Sequence, residues 1–388
     1  MIASSSSMQT SVLSDELLIR CHERVPLFDR ENRFGMEDFE ELQQAGYLRL
    51  PIPTAFGGLG LSLSDLVREQ RRLAYFAAPT AEAVTMHFAW VGVAASLWQK
   101  GDRSLQWVLE EAARGRIFSA GHAESGHDVP LTSSTTRAER VQGGYRITGH
   151  KSFGALGPVW DYMGLHALDD SDPMAPVIVH VFMPRNTEGY ARRDGAESLG
   201  MRATRRDETL LDGAFIPDRY IARMVPAGSR GLEAFVVTLM AWQLLGAAAV
   251  SAGMARRALD LTMETLRTSS HAASGLAMAQ HAGVQQRVAD MGLELEAIEP
   301  HLQHTAAEWS NGVLHGARWP MKLLAAKHHA AEGAFRVIDT ALDLAGGMGI
   351  SRRAGLEQLF RDARLSRVHP GNALYVHDVV GRTLLGLN

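Results

Sequence analysis

From Leu13 to about Arg116, apolar residues recur every three or four positions, the period of helices that bury one stripe. The run DELLIRCHERVPLFDRENRF predicts a first helix with Ser14 as N-cap and Asp15 and Glu16 in its first turn, broken or kinked at Pro26. MEDFEELQQAG predicts a second helix closing on Gly46, the loop PIPTAFGGLGLS follows, and helix returns over 64–77. Between Ile117 and Val225 the period shortens to alternation, with β-branched residues in TTRAERV, GYRITGHKSF, APVIVHVFM and TLLDGAFI. Gly143-Gly144 between the first two of these is a hairpin signal. Short strands joined by polar turns predict a small antiparallel barrel or sandwich.

After about Gly231 the helical period returns, richer in Ala and Leu, in three long runs beginning near Leu232, His281 and Pro320. Their apolar faces are wider than one subunit's core requires, which predicts an oligomer, a homotetramer or homodimer. The predicted fold class is α+β: residues 1–12 a flexible tail, 13–116 an N-terminal all-α domain, 117–228 a small antiparallel β domain, and 229–388 a C-terminal four-helix-type bundle that also serves oligomerisation.

Composition narrows the function classes. The chain has 388 residues, 46% hydrophobic and 21% charged, enough apolar material for a folded core of more than one substructure. Lys plus Arg number 39 against 43 Asp plus Glu, so the chain lacks the basic excess of a nucleic-acid binder. A single cysteine, Cys21, excludes an internal disulfide and a multi-thiolate metal site. The most apolar stretch, 235–250, is interrupted by Thr238 and Gln243 and reads as too short for a membrane span. No secretory signal pattern opens the chain, and the expected location is the cytoplasm, with no membrane partner. His301 and His304 lie three apart on a helix without a third ligand placed by sequence, so no metal is expected.

Several strings, in this order and spacing, resemble the acyl-CoA dehydrogenase superfamily over nearly the whole chain. They are PIPTAFGGLGLS, YRITGHKSF ending near Lys151, and LAGGMGISRRAGLEQLFRDARLSRV. The resemblance implies a flavin, FAD or reduced FAD or FMN, between the β domain and the bundle, closed at its dinucleotide end by a second subunit. It implies that His122 and Ala123, and Phe153, Gly154 and Ala155, flank the flavin ring, and that Asn372 lies near it. Arg267, Gly346 and Gly347 then lie near the phosphates or adenosine of a neighbour's flavin, with Asp343 where many relatives carry Gln. Bland readings stand beside these: Gly346-Gly347 as a helix C-cap, Phe153 as core packing and Arg267 as a solvated helix end.

Members of that superfamily usually remove a proton with a glutamate. Pro370 occupies the usual position, and Trp242-Gln243 occupies the alternative one on the first bundle helix. Proline accepts no proton and tryptophan only donates. Glu124 and Asp128 remain as substitutes, with surface or turn roles as the alternative. His369, seven residues after Asp362, resembles instead the monooxygenase branch of the superfamily. That branch takes reduced flavin from a separate reductase and hydroxylates a small substrate with dioxygen through a flavin C4a-hydroperoxide.

The resemblance makes His369 a catalytic hydrogen-bond donor or base near neutral pH, with Trp242 sealing the substrate pocket. His87, in the apolar stretch TMHFAWVGV, is the second catalytic candidate, against a structural reading as a buried helical histidine. The alternatives are an acyl-CoA or carrier-bound acyl dehydrogenase with a relocated base, and a silent scaffold that retains the fold.

Overall fold

The computed structural model describes residues 11–124, 130–195, 197–229, 233–270, 275–352 and 355–387, without the Phe153 side chain. Most of the predicted tail, and Asp128, lie outside the described residues. The tail's last two residues are held: Ser11 donates to Glu69 at 2.9 Å, and Val12 packs on the core.

The N-terminal part comprises α1 (Asp15–Glu31), α2 (Met36–Gln44), α3 (Leu63–Gln99) and α4 (Gln106–Ala113). Ser14 caps α1 by accepting from the Leu17 N–H, and α1 continues through Pro26 instead of breaking. Pro26 sits on the exposed face of α1, where water can replace the missing backbone bond. In α3 the Ser62–Asp65 capping box starts the helix. Its first half ends at Ala77, whose backbone leaves the helical region (φ −146°, ψ 74°) just ahead of Pro79. The second half, 78–99, is almost entirely buried, so side chains on all its faces meet other protein surfaces.

The strands are β1 (Phe118–Gly121), β2 (Arg137–Val141), β3 (Gly144–Gly154), β4 (Tyr162–Asp169), β5 (Val177–Pro184), β6 (Tyr190–Arg193), β7 (Asp207–Pro217) and β8 (Ile221–Pro226). They form one sheet in the order β6-β7-β3-β2-β4-β5-β8, with β1 beside β4. The β2–β3 hairpin turns through Gln142 and Gly143, the latter at φ 81°. The sheet is mostly antiparallel, but β1 runs parallel to β4, a departure from the all-antiparallel expectation. Parallel strands need a long connection, and residues 122–161, which include the β2–β3 hairpin, supply it here.

The C-terminal helices are α5 (Ala234–Thr268), α6 (Ala282–Ser310), α7 (Trp319–Ala345), α8 (Leu356–Val368) and α9 (Ala373–Leu385). Helix α5 packs between α3 and α7 and joins the two helical regions. It is long and apolar enough to cross a membrane by length and composition, contrary to the sequence reading. Yet 94% of its most apolar window is buried inside the protein. Gly92 of α3 permits this contact, since a Cβ there would fall 2.1 Å from the Trp242 ring of α5. Arg361 of α8 pairs with Asp29 of α1 at 2.7 Å and ties the bundle to the N-terminal helices.

Candidate active site

A cavity of about 220 Å³ opens where α3, the end of β1, α5 and the α8–α9 turn meet. Most of its wall is apolar, including Met86, Met240, Leu244 and Leu324. Three of its polar groups, Glu82, Arg206 and His369, stand together.

Glu82 comes from the second half of α3. Its Oε1 lies 3.5 Å from His369 Nε2 and 3.6 Å from an Arg206 guanidinium nitrogen. All three side chains are nearly inaccessible to solvent. Burial pushes the Glu82 carboxyl above its ordinary range, opposed by the positive charges of Arg206 and Lys327. Burial likewise holds His369 well below its usual value, helped by Lys327 and Arg206, so its imidazole is neutral near pH 7. Sequence reasoning missed Glu82 because one acid in AEAVTMHF carries no spacing signal; only the fold brings it to residue 369.

The turn carrying His369 is fixed by its own sequence and by a lysine. Pro370 disfavours a helical backbone at the residue before it, and His369 leaves α8 at φ −60°, ψ 150°. Gly371 follows at φ 83°. From α7, the buried Lys327 ammonium donates to the carbonyls of Ser366, His369 and Gly371 at 3.0, 3.2 and 3.1 Å. These carbonyls accept its protons, and its positive charge offsets the negative C-terminal end of α8. Pro370 and Gly371 thereby become part of the cavity wall.

The remaining predicted site residues divide. His122, Ala123 and Ala155 line the cavity, and the Ser152 N–H donates to the Ala123 carbonyl at 2.8 Å, joining that segment to β3. Gly154 ends β3 but is outside the lining, and the Phe153 side chain lies outside the described residues. Trp242 does not face the cavity: it packs on Gly92 and donates from Nε1 to Ser96 at 2.9 Å, while its neighbour Gln243 lines the wall.

His87 is also turned elsewhere. Its Nδ1 accepts from the Phe118 N–H at 3.1 Å, so its Nε2 carries the proton and donates to the Leu48 carbonyl, also at 3.1 Å. Both nitrogens are consumed by backbone, and burial lowers its pKa to about 4. Asn372 caps α9 by accepting from the Tyr375 N–H at 3.2 Å. Arg267, Gly346 and Gly347 are exposed on the single chain, with Gly346 as the C-cap of α7 at φ 57°. The role expected of these three concerns a second copy.

Glu124 lines the cavity but is committed to structure. Lys151 donates to it in a buried pair, and it also accepts from Ser134, Thr135 and Thr136. Despite burial, which alone would raise it, the ammonium and these donors lower its pKa to about 2. Such a carboxylate is a poor base. Asp362 accepts from the Met201 N–H and clamps the segment before β7 to α8. No group of three or more metal-ligating side chains occurs among the described residues.

Residues 229–385 match the acyl-CoA dehydrogenase C-terminal domain. The structure superposes on the FMN complex of KijD3 with a dTDP-linked amino keto sugar, with TM-score 0.84, 21% identity, and 96% and 92% of the two chains covered. The chain has the acyl-CoA dehydrogenase-like fold. Proteins similar to it differ in chemistry. Cyclohex-1-ene-1-carbonyl-CoA dehydrogenase of Geobacter metallireducens is 28% identical over 288 residues, which are 73% of this chain and 72% of that protein. A nitrososynthase of Micromonospora carbonacea var. africana has TM-score 0.83 at 22% identity, with 96% and 94% covered. Proteins of this fold thus carry out different chemistry, and only the site's own residues separate them.

Proposed function

We propose that this chain is a flavin-dependent oxidoreductase that hydroxylates a small organic molecule, using dioxygen and reduced FAD or FMN delivered by a separate reductase. The observation that carries the reading is the pair His369–Glu82 in the cavity wall, with Pro370 where the resemblance to the superfamily implies the dehydrogenase glutamate. The small lining residues Ala120, Ala123 and Ala155 leave room for a flavin ring in the cavity. When bound, reduced flavin supplies the electrons for oxygen activation.

The chain's own residues supply the rest. Neutral His369 takes a proton from a substrate N–H or O–H, or returns one to a nearby oxygen. Glu82 stabilises the imidazolium so formed, and the Arg206 charge opposes the upward push that burial gives that carboxyl. The apolar walls exclude water from this exchange. Exposed Met348 and Ile350 after α7, with Leu374 and Leu384 on α9, support a homotetramer or homodimer of this chain. The composition and fold suit a cytoplasmic enzyme.

A second reading has one observation in its favour. Glu82 is a buried carboxylate with a raised pKa in the cavity, as a relocated dehydrogenase base requires.

Anaerobic mixing with reduced FMN or FAD, followed by oxygenated buffer, separates the readings. Reoxidation slowed relative to free flavin, with a transient absorbance that His369→Ala shortens, is expected. Reoxidation as fast as free flavin, together with bleaching of bound oxidised FAD by an acyl thioester, would transfer the assignment to the dehydrogenase. Neither response would leave a non-catalytic scaffold.

A further inference from the structure

The cavity-lining His122, just after β1, is backed by two further buried histidines on neighbouring strands, His166 on β4 and His180 on β5. Their protonation follows from their partners. His166 Nε2 lies 2.9 Å from the Ser133 carbonyl oxygen, which can only accept, so Nε2 carries the proton. Burial, then Lys151 and the neighbouring histidines, hold His166 well below its usual pKa, so it has no second proton and its Nδ1 is a lone pair. His122 Nδ1 is 3.0 Å from that lone pair and must be the donor. His122 is also neutral, through burial first, then His180 and Lys151. Its single proton is committed to His166, and its Nε2 is a bare acceptor.

That acceptor has no donor within the described residues. Nε2 is buried without a hydrogen-bond partner, and the residue is only 7% exposed while lining the cavity. The Trp90 ring packs 5.4 Å away, but its Nε1 faces Gly164, where a Cβ would fall 2.2 Å from it. Glu124 is itself an acceptor, held by Lys151 and three hydroxyls. A buried acceptor left unmade costs free energy that a bound molecule can recover.

We infer that His122 is a specificity-determining residue whose Nε2 accepts a hydrogen bond from an N–H or O–H donor of the molecule bound in this cavity. The inference rests on the cavity being the ligand site of the proposed oxidoreductase, but it requires no turnover. The donor belongs either to the small substrate or to a ring N–H of the flavin. A molecule presenting an oxygen or nitrogen lone pair at this point is disfavoured, because two acceptors then face each other at a buried nitrogen.

Calorimetric titration of the full-length protein with matched bicyclic probes tests this: indole (N–H donor), indene (no polar atom) and benzofuran (acceptor), each with and without FMN. Indole is expected to bind at least about tenfold more tightly than the other two, the worth of one neutral hydrogen bond. His122→Phe, which keeps a ring against Trp90, should level the three, and His122→Gln, which keeps an acceptor, should restore part of the preference. If the flavin is the source, the probes bind alike and FMN affinity falls about tenfold in His122→Phe. Nitrogen NMR of the imidazoles, which needs no ligand, should show His122 Nε2 unprotonated. A protonated Nε2 overturns the inference. So does a wild type in which indole shows no advantage and FMN affinity is indifferent to His122→Phe. Loss of oxygen reactivity with this preference intact would instead count against the proposed hydroxylation alone.

Discussion

Glu82 on α3 and His369 at the end of α8 are separated by 287 positions in sequence and by 3.5 Å in space, buried together at the edge of one cavity. Their proximity makes the carboxylate a positioning and charge-stabilising partner of the imidazole. In Glu82→Gln the imidazolium loses its counter-charge while Arg206 remains. The pKa governing His369 then falls, and the acidic limb of the rate–pH profile moves to lower pH. Turnover is expected to drop by roughly 10²-fold, the lower range for loss of acid–base assistance. A pH–rate profile checks this, and an unmoved acidic limb would remove Glu82 from the role.

His87 is expected to matter for folding and not for ligand binding. His87→Ala strands the Phe118 N–H and the Leu48 carbonyl and opens a void, a loss of roughly 2–4 kcal/mol. Urea unfolding measures the loss, and titration with FMN should give an unchanged affinity. A large drop in affinity with little change in stability would return His87 to the active site.

The Lys151–Glu124 pair is buried on both sides. Lys151→Met leaves a carboxylate without its cation and is expected to destabilise by about 3–5 kcal/mol. Adding Glu124→Gln should recover much of that loss, because the uncompensated charge disappears with it. A double variant no more stable than Lys151→Met would show that packing, and not charge, dominates.

Asp362 provides a pH signature. Burial raises its carboxyl from the ordinary 3.8 to about 7 in the folded chain, partly offset by the Met201 N–H. The folded state therefore binds the proton more tightly than the unfolded chain. The associated stability is complete below the unfolded value and is lost as pH rises through about 7. Melting temperatures of wild type and Asp362→Asn across that window should diverge, with the wild type losing more on the alkaline side. Parallel curves would contradict the assignment.

Much of the architecture is legible from local pattern. The Ser14 cap, the hairpin turn at Gly143 and the long helix from 234 each follow from residues within a few positions of one another. Pro26 misleads because a proline on an exposed helical face leaves its orphaned carbonyl to water. The site is less legible because its meaning lies in which way side chains turn. Trp242 and Gln243 are adjacent on α5, and helical geometry sends the first onto Gly92 and the second into the cavity. His122 and His369 could be read toward the cavity from their strings, whereas Glu82 needed the third dimension.

The hold of Lys327 on the carbonyls of Ser366, His369 and Gly371 separates scaffold from chemistry. Because a side chain from another helix grips the backbone of the turn, its shape depends little on what residue 369 carries on its β-carbon. Reactive groups at the cavity rim can then be exchanged by single substitutions without rebuilding the bundle beneath them. One such frame can present an imidazole in one protein and a carboxylate in another, so new reactions can arise here through changes of cargo and not of architecture.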